Sequence, residues 1–155
     1  MTLNASDSIG FKLAQIVKMK RHLIDLTMEQ FSLCRSQWQT LFWLHKLGQC
    51  SQKELLNKMD IDKGHLARIL NEFEQKKYIT RIAKVNDRRS LVITITEYTQ
   101  KTLFPHLEKA FIEEDAVLLR GLSERNKSEL QALLAKIAAN LEGELSNNRS
   151  KADEQ

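Results

Sequence analysis

Apolar and polar positions along this chain follow one period, switch to another, and then return to the first. From about Ser8 to Gln30, Phe11, Ala14, Ile16, Val17, Leu23, Ile24 and Met28 recur at three- and four-residue steps, which predicts a helix. A second helix is predicted from Ser36, with Trp38, Leu41, Phe42 and Leu44 on one face. Ser36 and Gln39 have capping-box spacing, and Gly48 stands where such a helix should stop. Ser51 and Glu54 repeat the box ahead of Leu55, Leu56 and Met59. Asp62 is the expected N-cap of a further helix that turns Leu66, Ile69, Leu70 and Phe73 to the core. The period then drops to two. Ile79-Thr80-Arg81-Ile82-Ala83-Lys84 reads as one short strand. Leu91, Ile93 and Ile95, alternating with Val92 and Thr94, read as another, with Arg88 and Arg89 in the turn between them. Thr96 opens a long helix to about Leu119, kinked at Pro105, and Ser123 caps a last one with Leu130, Leu133, Leu134, Ile137, Leu141 and Leu145 on one stripe.

Three short helices with brief connections, followed by a cationic hairpin, predict a winged helix-turn-helix within a mainly α chain that has a small β-hairpin. The expected organisation places the winged helix-turn-helix at residues 36–96 and outer helices at 1–35 and 97–145. A polar tail, expected to be disordered, fills 146–155. The outer helices carry more apolar surface than one small core can cover. At about 25 cal/mol per Å² of apolar area, covering it is strongly favoured, and a two-fold homodimer is the simplest cover.

Charge sharpens this picture. Residues 1–96 hold 16 Lys and Arg against 9 Asp and Glu, a net +7; residues 97–155 hold 8 against 11, a net −3. The positive half is the half with the predicted reader, as expected of a partner for double-stranded DNA. No apolar run approaches the roughly 18 residues of a membrane span. The opening residues show no basic-then-apolar leader, and Cys34 and Cys50 do not make a disulfide framework, so a cytoplasmic protein with reduced thiols is expected. Arg35 beside Cys34 hints at a stabilised thiolate, although a small buried residue is the commoner fate of a cysteine.

The helix beginning at Lys63 sets Lys63, Gly64, His65, Ala67, Arg68, Asn71, Glu72 and Gln75 on its polar face. Arginine can donate two hydrogen bonds to guanine, and Asn or Gln can pair a donor and an acceptor with adenine. Lys63, His65, Arg68, Asn71 and Gln75 are therefore candidate DNA contacts. The plainer reading is a solvated face on which Arg68 and Glu72 pair four residues apart. Arg88 and Arg89 are candidates for a narrow A·T-rich minor groove, with Asp87 holding an arginine by a salt bridge. Trp38, Phe42 and His45, on a helix bordering both the outer helices and the reading region, are candidates for a small-ligand site. Core packing is the alternative for Trp38 and Phe42. No zinc-like Cys/His spacing, glycine-rich phosphate loop or nucleophile elbow is present, so no metal, cofactor or catalytic residue is assigned and an enzyme is not expected.

The segments Asp62-Lys63…Leu66-Ala67-Arg68-Ile69-Leu70, Asp87-Arg88-Arg89 and Ile95-Thr96-Glu97 resemble the MarR family of bacterial transcription regulators. Trp38-Gln39-Thr40-Leu41, His45-Lys46-Leu47, Ser51-Gln52 and Gly121-Leu122-Ser123 are similar to its SlyA-like branch. The resemblance covers about residues 8–145. It implies a homodimer in which each winged helix reads half of a palindrome, most often as a repressor released by a small aromatic acid or an oxidant. It matches Arg68 to the arginine of the recognition helix, and Asp87 and Arg89 to the wing pair. Three positions depart from the family pattern. Ala67 replaces Ser, Thr or Val, Thr99 replaces a glycine after Thr96-Glu97, and Lys77 replaces the glycine that ends the recognition helix. Because the chain must turn sharply there, Lys77 is expected in a left-handed backbone conformation. A winged helix used for protein–protein contact, with only sequence-blind DNA affinity, is the rival class. Operator, regulated genes, sign of regulation and effector are not encoded in any legible pattern.

Overall fold

The computed structural model describes residues 8–84 and 87–153, with side chains described for 8–83 and 91–148. Among the described residues are seven helices and two strands, in the order α1 (Ile9–Glu29), α2 (Arg35–Leu47), α3 (Gln52–Leu56), α4 (Lys63–Gln75), β1 (Ile79–Lys84), β2 (Asp87–Ile95), α5 (Glu97–Thr102), α6 (Phe104–Leu118) and α7 (Glu124–Asp153). They divide into two compact units, residues 1–115 and 116–155. The fold is the mainly helical one expected, with one antiparallel hairpin: the winged helix-turn-helix.

The core of the first unit is built from the predicted faces. Leu66, Ile69, Leu70 and Phe73 of α4 are all buried, and they meet Leu41 and Leu44 of α2, Leu55 of α3, and Ile79 and Ile93 of the hairpin. Each such side chain contributes about 1.5–3 kcal/mol of burial, which is why the helix period was legible. In the hairpin, Ile79 pairs with Ile95, Arg81 with Ile93 and Ala83 with Leu91, and the register shifts between Ala83 and Lys84. Cys50 adds a third, one-residue rung against Ile93, its N–H 3.2 Å from the Ile93 carbonyl. Burial, and then the nearby Glu54 carboxylate, push the Cys50 thiol above its ordinary range, so it is an inert core group.

Several boundaries differ from the sequence expectation. Helix α2 is capped at Cys34 rather than Ser36, with the Gln37 side chain accepting from the Cys34 N–H at 2.9 Å. Ser36 satisfied the spacing rule but lies inside the first turn. The single kinked helix expected after Thr96 is two helices, α5 and α6, parted at Leu103. Pro105 thereby falls in the first turn of α6, where a missing N–H breaks no bond. Strand β2 starts at Asp87, so the backbones of Asp87, Arg88 and Arg89 belong to the strand and not to the turn. Helix α7 runs on to Asp153, past the stripe's last leucine and through most of the expected tail.

The end of α4 follows the expectation. Lys77 has φ 59°. Its N–H reaches the Glu74 carbonyl at 3.0 Å, and the Tyr78 N–H reaches the Phe73 carbonyl at 2.7 Å. This is a Schellman motif, completed by the Phe73–Tyr78 ring contact at 5.7 Å. Thr99 has a reason of its own. It is buried, and its hydroxyl donates to the Tyr78 carbonyl at 2.8 Å, tying α5 to the same turn.

Candidate nucleic-acid interface

Helix α4 is anchored at its start by Asp62, whose carboxylate accepts the His65 N–H at 2.8 Å. That backbone bond holds the Asp62 carboxyl below its usual range. A Cβ at Gly64 would sit 3.1 Å from the same carboxylate. The small residue therefore protects the cap as well as keeping the helix surface low.

The polar face resolves residue by residue. Lys63, Arg68, Asn71 and Gln75 are exposed, and Ala67 is half-buried. Arg68 does not pair with Glu72. Glu72 instead accepts from Lys76 at 2.6 Å and from the Gln37 amide at 2.8 Å. The hydrogen bond to Glu72 comes first among the causes that raise the Lys76 ammonium above its ordinary range. Glu74, the other acid of this helix, is paired with Arg81 at 3.2 Å. Both carboxylates that would repel phosphate are thus engaged, and Arg68 has no ion-pair partner among the described residues.

His65 departs from the expected set. It is half-buried, with Nε2 3.3 Å from Ser36 Oγ, so its ring is held against the start of α2 and not in the open face. Asn71 is engaged too, accepting from Arg81 Nη2 at 2.9 Å. Sequence reasoning missed Arg81 and Gln37. Both reach α4 from other elements, and no spacing rule links residues 10 or 35 positions apart. The side chains of Asp87, Arg88 and Arg89 lie outside the described residues.

A cavity of about 830 Å³ opens between α1, α2, the turn after α3 and α6. Trp38 and Phe42 line it with Trp43, Phe111, Lys20 and Arg21. Trp38 is 3% exposed and donates from Nε1 to Asp25 at 2.8 Å. Burial resists ionisation of Asp25, but the bonds from Arg35 and Trp38 outweigh it and keep the carboxyl below its ordinary range. His45 does not line the cavity. It stacks on Phe104 with ring centroids 3.6 Å apart, and its Nδ1 is 3.2 Å from Gln100 Oε1. The helix spacing that put His45 near Phe42 carries it around the helix to α5 and α6. Among the described residues no cluster of His, Cys, Asp and Glu could hold a metal ion, and no helix is long and apolar enough to cross a membrane.

The sequence model of the MarR family matches residues 33–91, which span α2 to β2. Over these residues the chain is similar to the MarR family. Solved structures of MarR-type regulators have the same fold. A MarR transcriptional regulator from Methanosarcina mazei is 25% identical, with a TM-score of 0.74, over 85% of this chain and 94% of its own. The transcriptional regulator SlyA is 22% identical, TM-score 0.73, over 86% and 94%. A cysteine-to-serine variant of E. coli MarR, complexed with operator DNA, is 18% identical, TM-score 0.67, over 88% and 98%. In this winged helix, α4 is the last helix before the sheet and the β1–β2 hairpin is the wing.

Proposed function

We propose that this protein is a SlyA-like MarR-family repressor of the cytoplasm that binds a palindromic operator as a homodimer. Each α4 lies in a major groove and each wing reaches the adjoining minor groove. Control by a small aromatic acid in the cavity beside Trp38 and Phe42 belongs to the same reading. The observation that carries it is the state of the α4 face: Arg68 is exposed and has no ion-pair partner among the described residues, while Glu72 and Glu74 are neutralised by Lys76 and Arg81. A merely solvated face would gain from an Arg68–Glu72 pair; this one keeps its arginine available.

Residues 1–35 and 97–145 supply the dimer helices in this reading, supported by exposed Phe11, Ile16, Val17, Leu23, Leu133 and Leu141. The cavity's chemistry supports the effector: aromatic walls with Arg21 and Lys58 suit a flat anion, while Lys20 is paired with Glu114 and Asp60 stands at the rim.

Selection from a pool of randomised duplex DNA tests the proposal. The protein should enrich a two-fold symmetric sequence. Arg68→Ala should cost about 1–3 kcal/mol on that sequence and relax one position per half-site, and Arg89→Ala should reduce the preference for A·T at the flanks. Salt-sensitive binding with no enriched sequence would favour a protein-contact module instead. Tryptophan fluorescence titrated with salicylate, compared with a Trp38→Phe variant, tests the cavity. A saturable signal that weakens DNA binding is expected.

A further inference from the structure

Arg81 joins β1 of the wing to α4 at Asn71, one of the candidate base contacts. It leaves β1 opposite Ile93, and its side chain is only 20% exposed. One nitrogen of its guanidinium, Nη2, donates to Asn71 Oδ1 at 2.9 Å; the other, Nη1, lies 3.2 Å from Glu74 Oε2. Asn71 and Glu74 are three apart on α4 and so are neighbours on its surface. The planar fork of an arginine can hold both at once, whereas a lysine ammonium is a single point of charge.

The chemistry fixes which way Asn71 is turned. A guanidinium has donors only, so the oxygen of the Asn71 amide must face it, and the two N–H donors point away. An asparagine free to rotate about its last torsion can offer a donor and an acceptor side by side, the pattern that matches adenine. With its oxygen committed to Arg81, Asn71 presents chiefly donors, which match the paired N7 and O6 acceptors of guanine.

We propose that Arg81 is a positioning residue for sequence recognition: it sets the Asn71 amide so that α4 selects an acceptor-rich base edge at one position of each half-site. This rests on the reading of α4 as the DNA-contacting helix. Glu74 completes the device by holding the arginine's charge within the protein, so that Arg81 itself is not spent on a phosphate.

The test compares wild type, Arg81→Lys and Asn71→Ala by selection from randomised duplex DNA, followed by affinity for the enriched sequence at several salt concentrations. Wild type should prefer guanine over adenine roughly tenfold at the Asn71 position. Arg81→Lys keeps the charge and can still pair with Glu74 but cannot also hold the amide. Its preference at that position should fall to about twofold, with the salt slope and the other positions unchanged. Asn71→Ala should lose preference at the same position, and adding Arg81→Lys to it should change nothing more. Four results would overturn the proposal. If wild type enriches no sequence, the DNA reading fails and the positioning role falls with it. If wild type enriches a sequence and Arg81→Lys enriches it with identical preferences, only the positioning role fails. A uniform loss of affinity at all positions with a lower melting temperature makes Arg81 a structural strut. A uniform loss with a salt slope reduced by about one makes it a phosphate contact.

Discussion

Helices α4 and α7 are both amphipathic, yet they stand in opposite states. All four apolar residues on the inner face of α4 are buried within this chain. Among the described side chains of α7, residues 124–148, none is buried, and Leu133, Leu141 and Leu145 are more than half exposed. A helix of 13 residues that covers its stripe with its own chain is complete as it stands. A longer helix that leaves its stripe in water has its stabilising contacts elsewhere, because tertiary packing supplies most helical stability. The same sequence pattern therefore means a buried core in one place and an uncovered stripe in the other.

The largest effect should come from the complete side. Phe73→Ala removes a fully buried ring and should cost about 3–5 kcal/mol, read as a shift of the urea midpoint that does not depend on protein concentration. A concentration-dependent shift would mean that α4 also leans on a partner. Next is the open side. Leu134→Glu places a charge in the α7 stripe and should weaken self-association by about 1.5–3 kcal/mol per protomer. Sedimentation at micromolar concentration should move toward a single chain of 18.0 kDa. A wild-type protein that already sediments as a monomer would remove the contrast altogether.

Two smaller effects sharpen it. Lys77→Gly relieves a left-handed lysine at the end of α4 and should be neutral or stabilising by up to about 1 kcal/mol in thermal melts. A loss of that size would mean the turn tolerates lysine without strain. The smallest effect concerns α1, which is tied inward by Asp25 to Arg35 and Trp38. The folded Asp25 carboxyl lies below its ordinary value, so its contribution is complete above the ordinary carboxylate range. It is lost as pH falls through the lowered folded value. The difference in urea midpoint between wild type and Asp25→Asn should therefore shrink from pH 6 to pH 3.

Much of the winged helix-turn-helix was legible in the chain. Caps at Asp62 and Ser51, the stops at Gly48 and Lys77, and the 3.6-to-2 change of period all follow from short-range backbone chemistry. The stop at Lys77 was legible because a chain that leaves a helix for a strand must find a left-handed residue there, whatever its side chain. The neighbours of His45 and His65 were not legible, because spacing along a helix gives a face and not the neighbour on that face. His45 meets Phe104, and His65 meets Ser36.

What the sequence alone determined is thus the order of the elements, apart from the break at Leu103, and which residues of α4 face inward, since dihedral preferences and hydrophobic periodicity act within a few residues. Only the tertiary structure decided the electrostatics of the α4 face. Whether Arg68 is free depends on Lys76 and Gln37 holding Glu72, and whether Asn71 can turn depends on an arginine from β1. Charged and hydrogen-bonding side chains choose partners by distance in space, and the chain brings residues 71 and 81 together only after the hairpin has packed on the helix.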